Sequence, residues 1–134
     1  MQKIILLLLP LLILFSCKPS SVKQSFSFAD SLVIHFKNEQ QRVVNKTIQT
    51  TDAKAINRII DFIDGKTVED FKCGYDGKMF FYSKGLQVQE VDFNIKEETC
   101  THFSMLVNGK LINTKMNSEA VDFLDALEKG LTFY

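Results

Sequence analysis

Cys100-Thr101-His102-Phe103-Ser104-Met105-Leu106-Val107, then Asn108-Gly109, then Lys110-Leu111-Ile112-Asn113-Thr114, is the stretch that decides the fold. Asn-Gly is the strongest short hairpin signal, because both residues adopt the left-handed backbone of a two-residue turn whose twist matches the flanking strands. Phe103, Met105 and Val107 alternate with polar or lesser positions on the first arm, the period of a half-buried strand. An isolated hairpin is marginal in water, so further strands and a covering layer are required.

The chain supplies them in both directions. Upstream, Met79 to Tyr82 and Leu86 to Ile95 are strands around a Ser83-Lys84-Gly85 turn. In the second, Leu86 and Val88 read as inward, then Val91, Phe93 and Ile95; the one-residue phase change predicts a β-bulge near Glu90. Val68 to Cys73 reads as another strand, joined to Met79 by a tight hairpin at Tyr75-Asp76-Gly77-Lys78. Phe26, Phe28, Leu32, Ile34 and Phe36 alternate over a first strand with a bend or bulge at Asp30. Lys37-Asn38-Glu39-Gln40 turns into a second strand over 42–49. Two amphipathic helices complete the set. One starts at Thr50-Thr51-Asp52, carries Ile56, Ile59, Ile60 and Ile63, and stops at Gly65. The other starts at Asn117-Ser118-Glu119, carries Ala120, Phe123, Leu124 and Leu127, and stops at Gly130.

The resulting order, β-β-α-β-β-β-β-β-α, predicts an α+β two-layer sandwich: an antiparallel meandering sheet with both helices on one face. Three segments are expected: a leader over 1–16, a cysteine and flexible tether over 17–24, and a single domain over 25–134. That last span is long enough to bury one core without staples.

The leader has its own chemistry. Lys3 precedes an apolar run from Ile4 to Phe15, too short to cross roughly 30 Å of hydrocarbon, and a small residue, Ser16, precedes Cys17. Leu14-Phe15-Ser16-Cys17 resembles the lipobox of bacterial lipoproteins, with Leu14 at −3 and Ser16 at −1. The bulky Phe15 departs from the usual occupant of −2. The resemblance implies lipidation of Cys17 and attachment of the mature chain to a lipid bilayer, by the two or three acyl chains that firm anchoring needs. A tether over 18–24 extends to at most roughly 25 Å, which keeps the domain close to the membrane. The Ile, Lys, Phe and Asn content is similar to that of small envelope lipoproteins of Bacteroidota. Lys18 is unlike the Asp that retains some lipoproteins in the inner membrane, and no acidic run follows it as in many surface-export signals, so an outer-membrane anchor facing the periplasm is expected, with the inner membrane as the alternative.

With Cys17 modified, Cys73 and Cys100 form an even pair in an oxidising compartment, and a disulfide is the favoured reading. A reactive thiol or a metal site there is the alternative. Removing Lys3 leaves 15 basic against 16 acidic side chains and no basic stripe, so nucleic acid is not an expected partner. Glu90, Asp92 and Asn94 share a strand face, but same-face neighbours are nearly 7 Å apart, too far to chelate a calcium ion alone. Neither metal nor cofactor is expected. Gly-rich phosphate cradles, Gly-x-Ser-x-Gly elbows and His-Glu-x-x-His helices do not occur, and neither histidine sits beside a credible nucleophile. His102, two residues beyond Cys100, is the one position around which a pocket of a small hydrolase or ligand carrier could form. Asp30-Ser31-Leu32 resembles the O-glycosylation motif of exported Bacteroidota proteins, with Ser31 as acceptor.

The functional expectation rests on strand phase. With Met79, Phe81, Phe103, Met105 and Val107 on the core side, Val33, His35, Phe80, Tyr82, Leu106 and Ile112 are expected on the outer side. That is more apolar surface than a solvated face needs, and it reads as a contact surface for an envelope protein. The competing expectation is that the tether or Leu131-Thr132-Phe133-Tyr134 folds over it.

Overall fold

Asn108 and Gly109 take φ values of 52° and 76°, and the turn between them joins strands β6 (His102–Val107) and β7 (Lys110–Lys115) as the dipeptide dictates. Lys84 and Gly85, at 50° and 77°, make the same turn between β4 (Gly77–Ser83) and β5 (Leu86–Asn94). A computed structural model describes residues 20–38, 40, 43–69 and 72–131. The leader, Cys17 and Phe133-Tyr134 lie outside the described residues. Around the two hairpins are β1 (Ser31–Lys37), β2 (Val44–Thr50) and a two-residue β3 (Thr67–Val68). Among the described residues these strands form one antiparallel sheet, in the order β2-β1-β4-β5-β6-β7-β3.

Helices α2 (Ala53–Ile63) and α3 (Ser118–Lys129) cover one face, so the fold is the expected α+β sandwich. Asp52 and Asn117 cap them, each side chain accepting from the backbone N–H three residues on at 2.8 Å. Ile56, Ile59, Ile60 and Ile63 of α2 and Ala120, Phe123, Leu124 and Leu127 of α3 are buried with Leu32, Ile34, Phe36, Met79, Phe81, Val91, Phe93, Phe103, Met105 and Val107. The helices meet at Phe62 and Phe123, whose ring centroids lie 5.8 Å apart. The Arg58 guanidinium stacks over both rings and pairs with Glu119 at 3.2 Å. Lys46 Nζ donates to the Leu127 and Glu128 carbonyls, placing a cation at the C-terminus of α3.

Several local expectations are corrected. Residues read as a flexible tether include a helical turn, α1 (Ser21–Gln24), capped by Ser20, with Val22 buried in the core. The chain then turns through Phe26 and Phe28, so the first strand starts at Ser31, not Phe26. Phe26 is buried edge-on against Phe81, but Phe28 points into solvent. Helix α2 stops before Gly65, which does not take the left-handed backbone of Gly130 after α3. A Cβ at Gly65 would lie 2.6 Å from the Lys115 carbonyl oxygen, so glycine permits a close backbone approach. The bulge in β5 falls at Val88, between the Phe81–Gln89 and Tyr82–Gln87 pairs, rather than near Glu90. Leu86 and Val88 are exposed, because the core ends below them.

The largest correction concerns Asp76-Gly77. No hairpin joins the Val68 strand to Met79, since β3 pairs with β7 at the sheet edge and β4 lies between β1 and β5. Asp76 instead accepts from the Ile95 and Lys96 N–H groups at 2.7 and 2.9 Å and acts as a clamp for the end of β5. Cys73, read as part of a strand, lies in the irregular segment that precedes this clamp.

Candidate functional site

The sheet face opposite α2 and α3 carries all the expected contact residues but Ile112, and the structure divides it into three zones. On β1 and β4, Val33 stands opposite Phe80 and Ser31 opposite Tyr82. All four are half-buried. The Phe80 ring is flanked by His35, with centroids 5.2 Å apart, and by the Lys78 ammonium 6.0 Å from its centroid. Neighbouring side chains thus already shield much of this apolar patch.

Beside it runs a charged seam. Lys78 pairs with Glu90 and reaches Asp92 at 3.6 Å, so the shared strand face seen in the sequence is an ion cluster with one cation and two carboxylates. Burial holds the Asp92 carboxyl above the usual carboxylate range, the opposing pull of Lys78 being the smaller effect. The hydrogen bond to Glu90 raises Lys78 above the ordinary lysine range. A carboxyl raised in the folded state contributes stability below the unfolded value and loses it as pH climbs through the raised one. Lys78→Ala should therefore cost about 1–2 kcal/mol near neutral pH, between the exposed and buried extremes for breaking an ion pair. The deficit should close as acid neutralises Asp92. Thermal melts of both proteins across the acid range test this, and a deficit that grows on acidification would refute it.

The third zone lies over β5, β6 and β7. At its inner end the outward side chains are polar and buried: Asn94, His102, Ser104 and Asn113. Among the described residues the cover is the 72–76 segment, whose Tyr75 ring packs 5.7 Å from that of His102. The Cys73–Cys100 disulfide, with Cα atoms 6.3 Å apart, pins this strap. Asn94 adds a 2.7 Å hydrogen bond to the Gly74 carbonyl, and His102 Nδ1 lies 2.5 Å from the Cys100 carbonyl oxygen. His102 is 1% exposed, so the open pocket imagined around it is a covered corner. The Cys73 and Cys100 sulfurs lie close to the Glu97 carboxylate, all within 4.8 Å. Both sulfurs are spent on their mutual bond, which leaves no thiolate to ligate a metal.

Beyond this corner the sheet parts. The β5–β6 ladder covers only Asp92–Asn94 against His102–Ser104. Further along, the Gln89 amide donates at 3.0 Å to the Leu106 carbonyl and spans the gap that backbone bonds would otherwise close. The opening forms a cleft of about 490 Å³ whose walls include Tyr75, Val88, Leu106 and Leu111, with Glu90 and Asp92 on the acidic side. Leu106 is 62% exposed and Leu111 49%.

Leu111 takes the place expected for Ile112. Ile112 pairs with Met105 and packs against the core, whereas Leu111 pairs with Leu106 on the outer face. The signal was present in the sequence: a two-residue turn at Asn108-Gly109 forces 106 opposite 111. Tyr75 had no such signal, since its position depends on the disulfide-held strap. No family model matches the chain, and no curated protein or solved structure matches it either.

Proposed function

We propose that the chain is a lipid-anchored envelope protein, attached through Cys17, that binds a partner protein without catalysis and uses the β5–β6 cleft to do so. The observation that carries this reading is the pair Leu106–Leu111, left in solvent where the sheet parts and walled by Val88 and Tyr75. Aliphatic and aromatic side chains around a concave site are what a buried anchor side chain of a partner needs. The acidic side of the cleft suits a partner segment that carries a basic residue next to its apolar anchor. The rival reading, a hydrolase or ligand carrier centred on His102, would need the Tyr75 strap to lift before anything reached the imidazole. The half-buried Val33, His35, Phe80 and Tyr82 are a lesser part of the surface, because their exposure is already reduced by one another. Glycosylation at Ser31, the first residue of β1, would place a sugar beside Tyr82.

Leu106→Ser and Leu111→Ser should each change stability by less than about 0.5 kcal/mol, as exposed positions do. Together they should abolish co-purification of the envelope protein that accompanies the wild type. Equal recovery of that protein with the double variant would reject the cleft as its site. Cys17→Ser should remove palmitate label and membrane retention together. Retention without label would reject the anchor.

A further inference from the structure

Phe28 has no place in the fold that explains it. It is 88% exposed, yet its backbone sits at φ 65°, a conformation that costs an aromatic residue and suits glycine. Residues kept in such a conformation without compensating internal contacts point to an external one. The next most exposed apolar side chain at this end of the sheet is Leu86, at 74%. Asp30 ties the two turns together: its carboxylate accepts from the Lys84 N–H at 2.7 Å, and its own N–H donates to the Tyr82 carbonyl at 2.8 Å. Phe28 and Leu86 each lie two residues from that junction. Lys84 is exposed in the same turn, and Lys110 in the neighbouring β6–β7 turn, which lies at the same end of the antiparallel sheet. Asp30, held at the Lys84 N–H, and Asp52, the cap of α2, also lie at this end, and exposed Glu69 lines a shallow cleft with Lys110.

Two apolar tips flanked by lysines fit the interface of an anionic bilayer. We infer that Phe28 and Leu86 are a second membrane contact, seated in the headgroup region, which orients the domain on the lipid surface. The contact presupposes the Cys17 anchor. Two residues, Lys18 and Pro19, separate Cys17 from Ser20, and the three steps span roughly 11 Å at most, so a lipidated Cys17 holds the domain close to the bilayer. The helical turn and bend over 20–28 then put Phe28 within roughly 25 Å of the anchor. The contact adjoins the cleft, whose lining begins at Gln87 next to Leu86.

The chain has no tryptophan, so single substitutions report one position each. Phe28→Trp, Leu86→Trp and Leu131→Trp would be made in the full chain, processed in a bacterial host. They would be reconstituted in phosphatidylethanolamine–phosphatidylglycerol vesicles doped with brominated phosphatidylcholine. Leu131, 75% exposed, follows α3, whose C-terminal turn binds Lys46 at the opposite end of the sheet, and it serves as the matched control. Emission should shift to the blue and be quenched by bromine for the Phe28 and Leu86 probes, and do neither for Leu131. Phe28→Gly should melt no lower than the wild type, since it relieves the strained backbone, while its pairing with Leu86→Trp should weaken the quenching. Quenching at all three positions, or at none, would overturn the contact. A shift seen in native envelope membranes but not in protein-free vesicles would assign the tips to a protein and overturn it too. The mass of the N-terminal peptide separates the two readings. If Cys17 carries no lipid, the anchor fails by itself, and the same probes at saturating vesicle concentration still decide the contact.

Discussion

Gly77→Ala should destabilise the protein by about 3 kcal/mol, the upper range for overpacking a well-filled core. Gly77 lies on the inner face of β4, opposite Phe36 on one side and Phe93 on the other. A Cβ there would be 2.2 Å from the Phe93 ring and 2.5 Å from the His35 carbonyl oxygen. The ring cannot swing away, because it is fully buried and packs edge-on against Phe36 with centroids 5.5 Å apart. The carbonyl cannot retreat without pulling β1 away from β4. At roughly 4–8 °C per kcal/mol for a domain near this size, the midpoint should fall by more than about 10 °C. Gly74→Ala is the comparison, since nothing lies within 4 Å of its added methyl. Thermal melts followed by circular dichroism measure both, and equal midpoints would show that β1 and β4 yield more easily than their packing implies.

Removing the bridge should cost at least as much. Cys73 and Cys100 are 27 residues apart, and closing a loop of that size in the unfolded chain corresponds to about 3–4 kcal/mol in the chain-entropy treatment. Cys73→Ala with Cys100→Ala should show that loss in equilibrium unfolding. A local consequence should accompany it. Asp76 stays clamped by the Ile95 and Lys96 amides, so β4 keeps its start, while the strap before it is left with the Asn94–Gly74 hydrogen bond. His102 should then become reactive to diethylpyrocarbonate under native conditions, whereas the oxidised protein stays protected by Tyr75. A double variant within about 1 kcal/mol of the wild type, with His102 still protected, would show that packing alone holds the strap.

Those two sites mark where sequence reading succeeded and where it stopped. The pairing of Cys73 with Cys100 was accessible from the even pair that an expected modification of Cys17 leaves, but not that the bond fastens a lid over the polar corner of the sheet. Asp76-Gly77 has the residues of a hairpin turn, and local chemistry alone cannot tell a turn from a carboxylate clamp beside a glycine that makes room for Phe93. Ile112 was assigned to the wrong face by following apolar character, although the register imposed by Asn108-Gly109 already selected Leu111.

By itself the sequence determined what short-range physics controls: two turns with left-handed backbones, caps at Asp52 and Asn117, helix stripes at three and four, and the inward phase of β4 and β6. Each depends on residues within about a dozen positions of one another, where steric and hydrogen-bonding preferences act without help. Only the tertiary structure decided the cleft, the strap and the strained Phe28. The cleft exists because β5 and β6 pair for three residues and then separate. The strap exists because a bond across 27 residues draws Tyr75 over His102. Whether Phe26 or Phe28 is buried depends on what faces each after the chain turns. Phe26 meets Phe81 across the core and Phe28 meets solvent, a difference that periodicity along the strand cannot express.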